Sequence, residues 1–347
     1  MIDWTLVRRI AEAIAGESGG TTAPRGDLDA LALDSQVRVL AYTQLVPLTP
    51  LPPAEMVSRQ EWIEANVRSM RPVLDRVGSR VGSGMGLLGR PARAVTGALL
   101  SAQVGGLTGF LAQRVLGQYD MPLLDAVEAP RLLMVGPNLG SAAEKMDVDA
   151  EELMHWVTLH EVTHAVQFGS VPWLRLHLAS LLREVVDTLE VKLERPPGMR
   201  VPSADDVRAL VESVRRGELV TLVIGRERRA LIDRVQATMA LIEGHAEHVM
   251  DAIGAEVIPS QAQLRDALVR RREQRTGPMR LLERILGFEL KMRQYRDGKR
   301  FCDEVVARAS IQGLNRAWTA PHALPTLAEL GDPEAWLART AVPSVTK

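Results

Sequence analysis

A mainly helical α+β fold with one small sheet is predicted by three observations. Apolar residues recur at spacings near 3.6 through most of the 347 residues, strand-like runs are few, and 46% hydrophobic with 24% charged residues suits a soluble chain that buries a substantial core. No internal repeat or low-complexity tract stands out. We divide the chain into a mostly helical region over 1–130, a core over 131–254 and a helical region over 255–347, expected to pack as one two-lobed unit.

Taken in order, helical spacing predicts helices over Thr5 to Ala15 and over Glu55 to Val77, the latter kinked at Pro72. From Ala94 to Gln113 twenty uncharged residues lie between Arg93 and Arg114, long enough to cross a bilayer. Four glycines, two glutamines, two threonines and a serine dilute them, so we expect a buried helix whose small residues pack against the helices of the 131–254 core. Arg131-Leu132-Leu133-Met134-Val135, ahead of Gly136-Pro137-Asn138, is the best strand signal. A helix follows, N-capped by Asp149 with Glu152 three residues on and ended by Gly169 and Pro172. Further helices are expected over Trp173 to Leu193, Ala204 to Arg216, about Arg226 to Ile253 (closed by Gly254), Gln261 to Arg275 and Met279 to Arg293. Ser203 and a Ser260 to Gln263 capping box mark two of the starts. Gly19 to Gly26, Val46 to Pro53, Gly82 to Pro91, Glu194 to Pro202 and Thr319 to Pro333 read as loops.

The Asp149 helix carries His160-Glu161-Val162-Thr163-His164. At 100° per residue the two histidines share a stripe with Leu153, Trp156, Val157, Gln167 and Phe168, which should be buried. Two core histidines satisfied by ordinary hydrogen bonds are the plain alternative. Each buried imidazole without a partner costs on the order of 1–3 kcal/mol, whereas one metal ion satisfies both and turns the cost into binding energy. We therefore expect one Zn2+ per chain on His160 and His164. Cys302 is the single cysteine, so histidine and carboxylate must hold the ion.

A third ligand is sought in Leu241-Ile242-Glu243-Gly244-His245-Ala246-Glu247-His248. An HExxHxxGxxH site is excluded, because Gln167 and Ser170 stand where its glycine and third histidine would be. On the 226–253 helix Glu243 and Glu247 share a face with Met239, Ala240, Ala246 and Met250. His245 points about 200° and His248 about 140° away from Glu243. Glu243 is assigned as ligand and Glu247 as the carboxylate accepting a ligand imidazole N–H, with a solvated helix carboxylate as its plainer alternative. Gly244 would let this helix approach the first closely. Glu161, beside the first ligand, is the candidate general base. His155 and His177 fit no site and are expected at the surface or in caps.

His160-Glu161-Val162-Thr163-His164-Ala165-Val166-Gln167-Phe168, followed by Ile242-Glu243-Gly244-His245-Ala246-Glu247-His248-Val249, resembles the gluzincin-type zincin metallopeptidases. Tyr295-Arg296-Asp297-Gly298-Lys299-Arg300-Phe301 resembles a Y-x-x-G-x-x-F found on a later helix in such proteins. The whole chain is similar to a family of actinobacterial zincin-like hydrolases, some labelled as associated with deazaflavin cofactor biosynthesis. That likeness implies a zinc-dependent metallopeptidase acting on a peptide or small amide, with His160, His164 and Glu243 as ligands and Glu161 as base. It also implies that the 131–135 strand lines the cleft and can pair with an extended substrate. Tyr295 is the candidate donor to the oxyanion, with His322 behind it; the plain alternative is a structural Tyr295 that packs its ring and caps a loop. The sequence departs from the pattern in its 78 residues between His164 and Glu243 and in His248, which stands where an aromatic residue is usual. A zinc-bound scaffold without turnover is the alternative, against which the intact Glu161 argues.

Net charge is −1, which argues against general nucleic-acid binding, and the basic run Arg270 to Arg275 reads as a solvated helix end. Met1 to Arg9 lacks the apolar core of a signal peptide, so a cytoplasmic protein is expected. No transmembrane span is expected, and peripheral membrane contact stays open. Oligomeric state and substrate are not fixed by the residues.

Overall fold

The computed structural model describes residues 2–16, 23–84, 89–123, 128–187, 226–273 and 291–341, with side chains left out at 79–93, 226–228, 272–273 and 291–296. Eleven helices run in chain order among them: α1 Trp4–Ala15, α2 Leu28–Thr43, α3 Arg59–Gly84, α4 Gly89–Ala112, α5 Gly136–Met146, α6 Ala150–Ser170, α7 Pro172–Asp187, α8 Arg226–Val257, α9 Gln261–Glu273, α10 Lys291–Leu314 and α11 Pro333–Arg339. Three strands, β1 Ala54–Val57, β2 Gly117–Asp120 and β3 Arg131–Val135, form a sheet of order β1-β3-β2. The fold is mainly α with a small sheet, as the periodicity predicts.

β3 is the middle strand, parallel to β1 (Val57 opposite Val135) and antiparallel to β2 (Tyr119 opposite Leu132). Its apolar run explains the placement: Leu132, Leu133, Met134 and Val135 are fully buried, as both faces of a central strand require. This corrects the expectation that β3 pairs with substrate, because both of its edges are already taken. β2 is the strand with an outer edge beside α6.

β1 is a second correction, since its residues open the stretch predicted as helix from Glu55. Helix α3 starts only at Arg59, where Ser58 and Glu61 close a capping box: Glu61 Oε2 accepts from Ser58 N–H at 2.7 Å, and Ser58 Oγ from Glu61 N–H at 3.2 Å. Pro72 lies inside α3 without ending it. The Ser260 box does not form as read. Ser260 presents its N–H and hydroxyl to Glu152 of α6 and so ties the start of α9 to the start of the motif helix. Gly254 does not close α8, which runs one turn further to Val257. The expected helix over Ala204 to Arg216 lies outside the described residues, and so does the one over Met279 to Arg293 except for its last three residues, which begin α10.

Two clusters make the core around α6 and α8. Leu153, Val157, Val162 and Val166 of α6 pack with Val249, Met250 and Ile253 of α8 and with Leu132 and Met134 of the sheet. Leu241 and Ile242 of α8 pack with Phe301 and Val305 of α10 and with Trp318 and Trp336. The small residues of α4 face α1 rather than the site helices, which corrects the sequence reading. A Cβ on Gly105 would lie 2.6 Å from the Val7 carbonyl oxygen, and one on Gly109 would lie 2.5 Å from that of Ala11.

Candidate metal centre

Helix α6 is fixed at its start by Asp149, whose Oδ1 accepts from the N–H groups of Glu151 and Glu152 at 2.9 Å each. About three turns on, it presents His160 and His164 on one stripe. Their rings meet edge to face with centroids 4.7 Å apart, and their Nε2 atoms are 3.2 Å apart. Helix α8 crosses here and brings Glu243 Oε2 to 3.9 Å from His160 Nε2 and 3.8 Å from His164 Nε2. The three side chains retain 21%, 11% and 29% of their exposure.

The two histidines are within hydrogen-bond reach of one another, but both carboxylate separations exceed hydrogen-bond length, so no direct hydrogen bond ties Glu243 to them. A tetrahedral zinc ion with donors at about 2.0–2.1 Å needs donors about 3.3–3.4 Å apart, close to the three edges observed. Two neutral imidazoles and a carboxylate are the donor chemistry zinc takes, and among the described residues no fourth histidine, cysteine or carboxylate joins the cluster. The residues therefore fit the ion.

Glu161 points to the sheet side of α6. Its Oε2 accepts the backbone N–H of Tyr119 in β2 at 2.7 Å, so this N–H faces away from β3 and toward the site. β2 lies close enough for the contact because Gly117 carries no side chain: a Cβ there would stand 2.5 Å from Val157 Cγ1 and 3.1 Å from Glu161 Cγ. Burial pushes the Glu161 carboxyl above its ordinary range, opposed by His164 and the Tyr119 N–H and reinforced by Glu243. The Tyr119 ring stacks on Phe168, one turn beyond His164, with centroids 6.0 Å apart. Burial raises its phenol to about 12.

The two other histidines of α8 stay out of the cluster, as the helix angles predict. His245 is fully buried against the edge of Trp318 at 5.5 Å, with neither ring nitrogen partnered, and burial lowers its pKa to about 3. His248 joins a separate chain of contacts. Its Nε2 lies 2.7 Å from Tyr42 Oη and its Nδ1 2.7 Å from Asp303 Oδ1, while Lys299 Nζ donates to Asp303 at 2.5 Å and pairs with Asp251 at 2.8 Å. These contacts lock α8 to α2 and α10 about one turn beyond Glu243.

Gly244 serves the neighbouring helix α10 and not α6, a further correction. A Cβ on Gly244 would lie 2.3 Å from the Gly298 carbonyl carbon, and one on Gly298 2.0 Å from the Ala240 carbonyl oxygen. The Tyr295-to-Phe301 segment thus owes its glycine to this crossing and its phenylalanine to the core, where Phe301 meets Trp336 at 5.2 Å. Tyr295 lies within α10, its side chain outside the described residues. His322 is exposed on a short 3-10 turn. His164 Nδ1 is buried without a hydrogen-bond partner, so half-buried Glu247 does not serve that ring. His155 is half-buried near Asp34, and its pKa is lowered by desolvation; His177 is half-exposed beside Trp173.

Sequence reasoning missed Tyr119 and the whole of β2. The contribution of Tyr119 is a backbone N–H, which no side-chain pattern announces; Gly117-Gln118-Tyr119-Asp120 offers only a four-residue run with a glycine in it.

Compared with known proteins, residues 2–337 match a family model described as zincin-like metallopeptidase. A crystal structure from Chloroflexus aurantiacus, provisionally assigned as a hydrolase and described as having a novel fold, aligns over 98% of both chains with 29% identity and a TM-score of 0.73. No curated protein matches the sequence.

Proposed function

We propose that this chain, which belongs to the zincin-like metallopeptidases, is a zinc-dependent hydrolase that cleaves amide bonds with Glu161 as general base. The observation that carries this reading is the triangle of His160 Nε2, His164 Nε2 and Glu243 Oε2, with a half-buried carboxyl, that of Glu161, beside it that belongs to none of its corners. His160, His164 and Glu243 would hold the ion. Bound there, zinc supplies Lewis acidity, which lowers the pKa of water towards about 7 and polarises a carbonyl.

The protein's own groups do the rest. Tyr119 N–H fixes Glu161 Oε2 and leaves Oε1 to take a proton from the attacking water and return it to the departing amine. Tyr295 remains our candidate donor to the developing oxyanion, ahead of His322. Glu247 is proposed to accept the N–H of His160, and Glu247→Gln should weaken zinc about 10–100-fold. The substrate class is a peptide or small amide and the compartment the cytoplasm. The scaffold alternative is disfavoured because purely structural zinc sites usually have four protein ligands, and three are gathered among the described residues.

The test is Glu161→Gln, which keeps shape and removes the base. Against a diverse peptide mixture, cleavage by the wild type should be abolished by a chelator and reduced at least about 100-fold by the substitution, with zinc content unchanged. A wild type that holds zinc and cleaves nothing in peptide and small-amide screens would favour the scaffold.

A further inference from the structure

Helix α4 contradicts the rule that an apolar helix is a buried one. From Ala94 to Ala112 it carries no charge and is long and apolar enough to span a bilayer, yet only six of its 19 residues are buried. The buried positions, Gly97, Ser101, Gly105, Thr108, Gly109 and Ala112, fall within about 120° of its circumference, and Gly105 and Gly109 meet α1 there. Outside that arc stand Val95, 52% exposed, exposed Gln103, and the half-exposed Leu99, Leu107 and Phe110, while Ala98, inside the arc near the helix start, is exposed as well; none of these side chains is acidic or basic. Ile14 of α1, 41% exposed, adds to the same helix pair.

The charge around α4 indicates what would cover it. The protein as a whole carries −1, but residues 65–114 hold seven arginines and a single acid, Asp75, with no lysine. Arg93 and Arg114 bracket the uncharged stretch, and the Arg114 guanidinium lies 3.6 Å from the centroid of the half-exposed Phe110 ring. Arg68 and Arg71 are exposed on α3, paired with Glu128 and Asp75 in surface contacts that cost little to exchange. An uncharged helix bracketed by arginines, inside a strongly positive segment, matches an anionic lipid surface: acyl chains take the apolar face and headgroups take the guanidinium groups. A nucleic acid would leave the apolar face unsatisfied.

We propose that α4 and its flanking arginines dock this protein on anionic membrane surfaces. Only four residues separate Ala112 from β2, so docking would place the strand beside Glu161 near the bilayer. This inference stands apart from the proposed hydrolase activity and needs none of it.

The test uses the purified full chain, vesicles of phosphatidylcholine with about 30% phosphatidylglycerol, vesicles of phosphatidylcholine alone, and the doubly substituted Val95→Glu/Ala98→Glu protein. Co-sedimentation with the anionic vesicles should exceed that with neutral ones about tenfold or more, fall as salt is raised, and drop about tenfold in the double variant with thermal midpoint and zinc content retained. Three results would overturn the proposal: no binding to anionic vesicles at low salt, equal binding to both kinds, or a wild-type dimer in sedimentation velocity that the double variant splits, which would assign the face to a second copy. Hydrolysis plays no part in the readout, so failure of the enzymatic reading leaves the test standing.

Discussion

Two helix crossings in this molecule are built the same way and end differently. At α8–α10, Gly244 and Gly298 let backbones meet; at α1–α4, Gly105 and Gly109 do the same. The α8 surface around its crossing is completed by polar chemistry: Glu243 turns to the two histidines of α6, while His248, Asp251, Asp303 and Lys299 are joined in one chain. Among the described residues, the α4 surface between Val95 and Phe110 carries no charged side chain of its own and stays largely exposed, with the Arg114 guanidinium over Phe110 at its end. Close backbone approach is thus a neutral device, and the residues on the remaining faces decide whether a helix pair becomes a site or a surface.

The largest expected effect is on the site side. His160→Ala or His164→Ala should take bound zinc from about one ion per chain to near zero and lower the thermal midpoint, measured by elemental analysis and calorimetry, while α4 and its vesicle binding stay as they were. Full metal occupancy after both changes would remove the basis for the site. Next comes Glu243→Ala against His245→Ala. The first should strongly weaken zinc binding in a chelator titration; the second opens a cavity beside Trp318 and costs stability, yet should leave zinc affinity nearly intact.

Gly298→Ala and Gly105→Ala then set the two crossings against each other. Each added Cβ meets backbone, at 2.0 Å and 2.6 Å, so each should destabilise by about 1–3 kcal/mol in denaturant unfolding. Only Gly298→Ala should also weaken zinc, since it displaces the helix that carries Glu243. Equal loss of zinc in both would mean that the crossings are not separable. The smallest expected effect is that of Tyr42→Phe, which removes the hydroxyl next to His248 and should cost about 1 kcal/mol without changing zinc content.

The site helices were legible in the sequence because their signals are local. His160 and His164 are four apart on an amphipathic stripe, and Asp149 caps the helix that bears them. Glu243 could be separated from His245 and His248 by angle alone. What stayed hidden depends on partners remote in the chain. Gly244 reads equally well as a contact to α6 or to α10, and only the position of Gly298 decides. Ala54-Glu55-Met56-Val57 reads as a helix start until β3 pairs with it. Helix α2 was not foreseen, since exposed Leu33 and Val37 blur its stripe, although Asp27 caps it with a 3.0 Å bond to Ala30 N–H. The small residues of α4 announced a close helix contact but not which helix would make it.

The central claim is that two α6 imidazoles and one α8 carboxylate hold a single zinc ion next to an unligated Glu161. Anomalous diffraction at the zinc edge from crystals of the zinc-loaded protein tests it most directly. One peak should lie about 2.0–2.2 Å from His160 Nε2, His164 Nε2 and a Glu243 oxygen, with Glu161 outside bonding distance and the fourth position free of protein side chains. A peak bonded to His245 with Glu243 turned away, or a fourth protein ligand closing the shell, would contradict it.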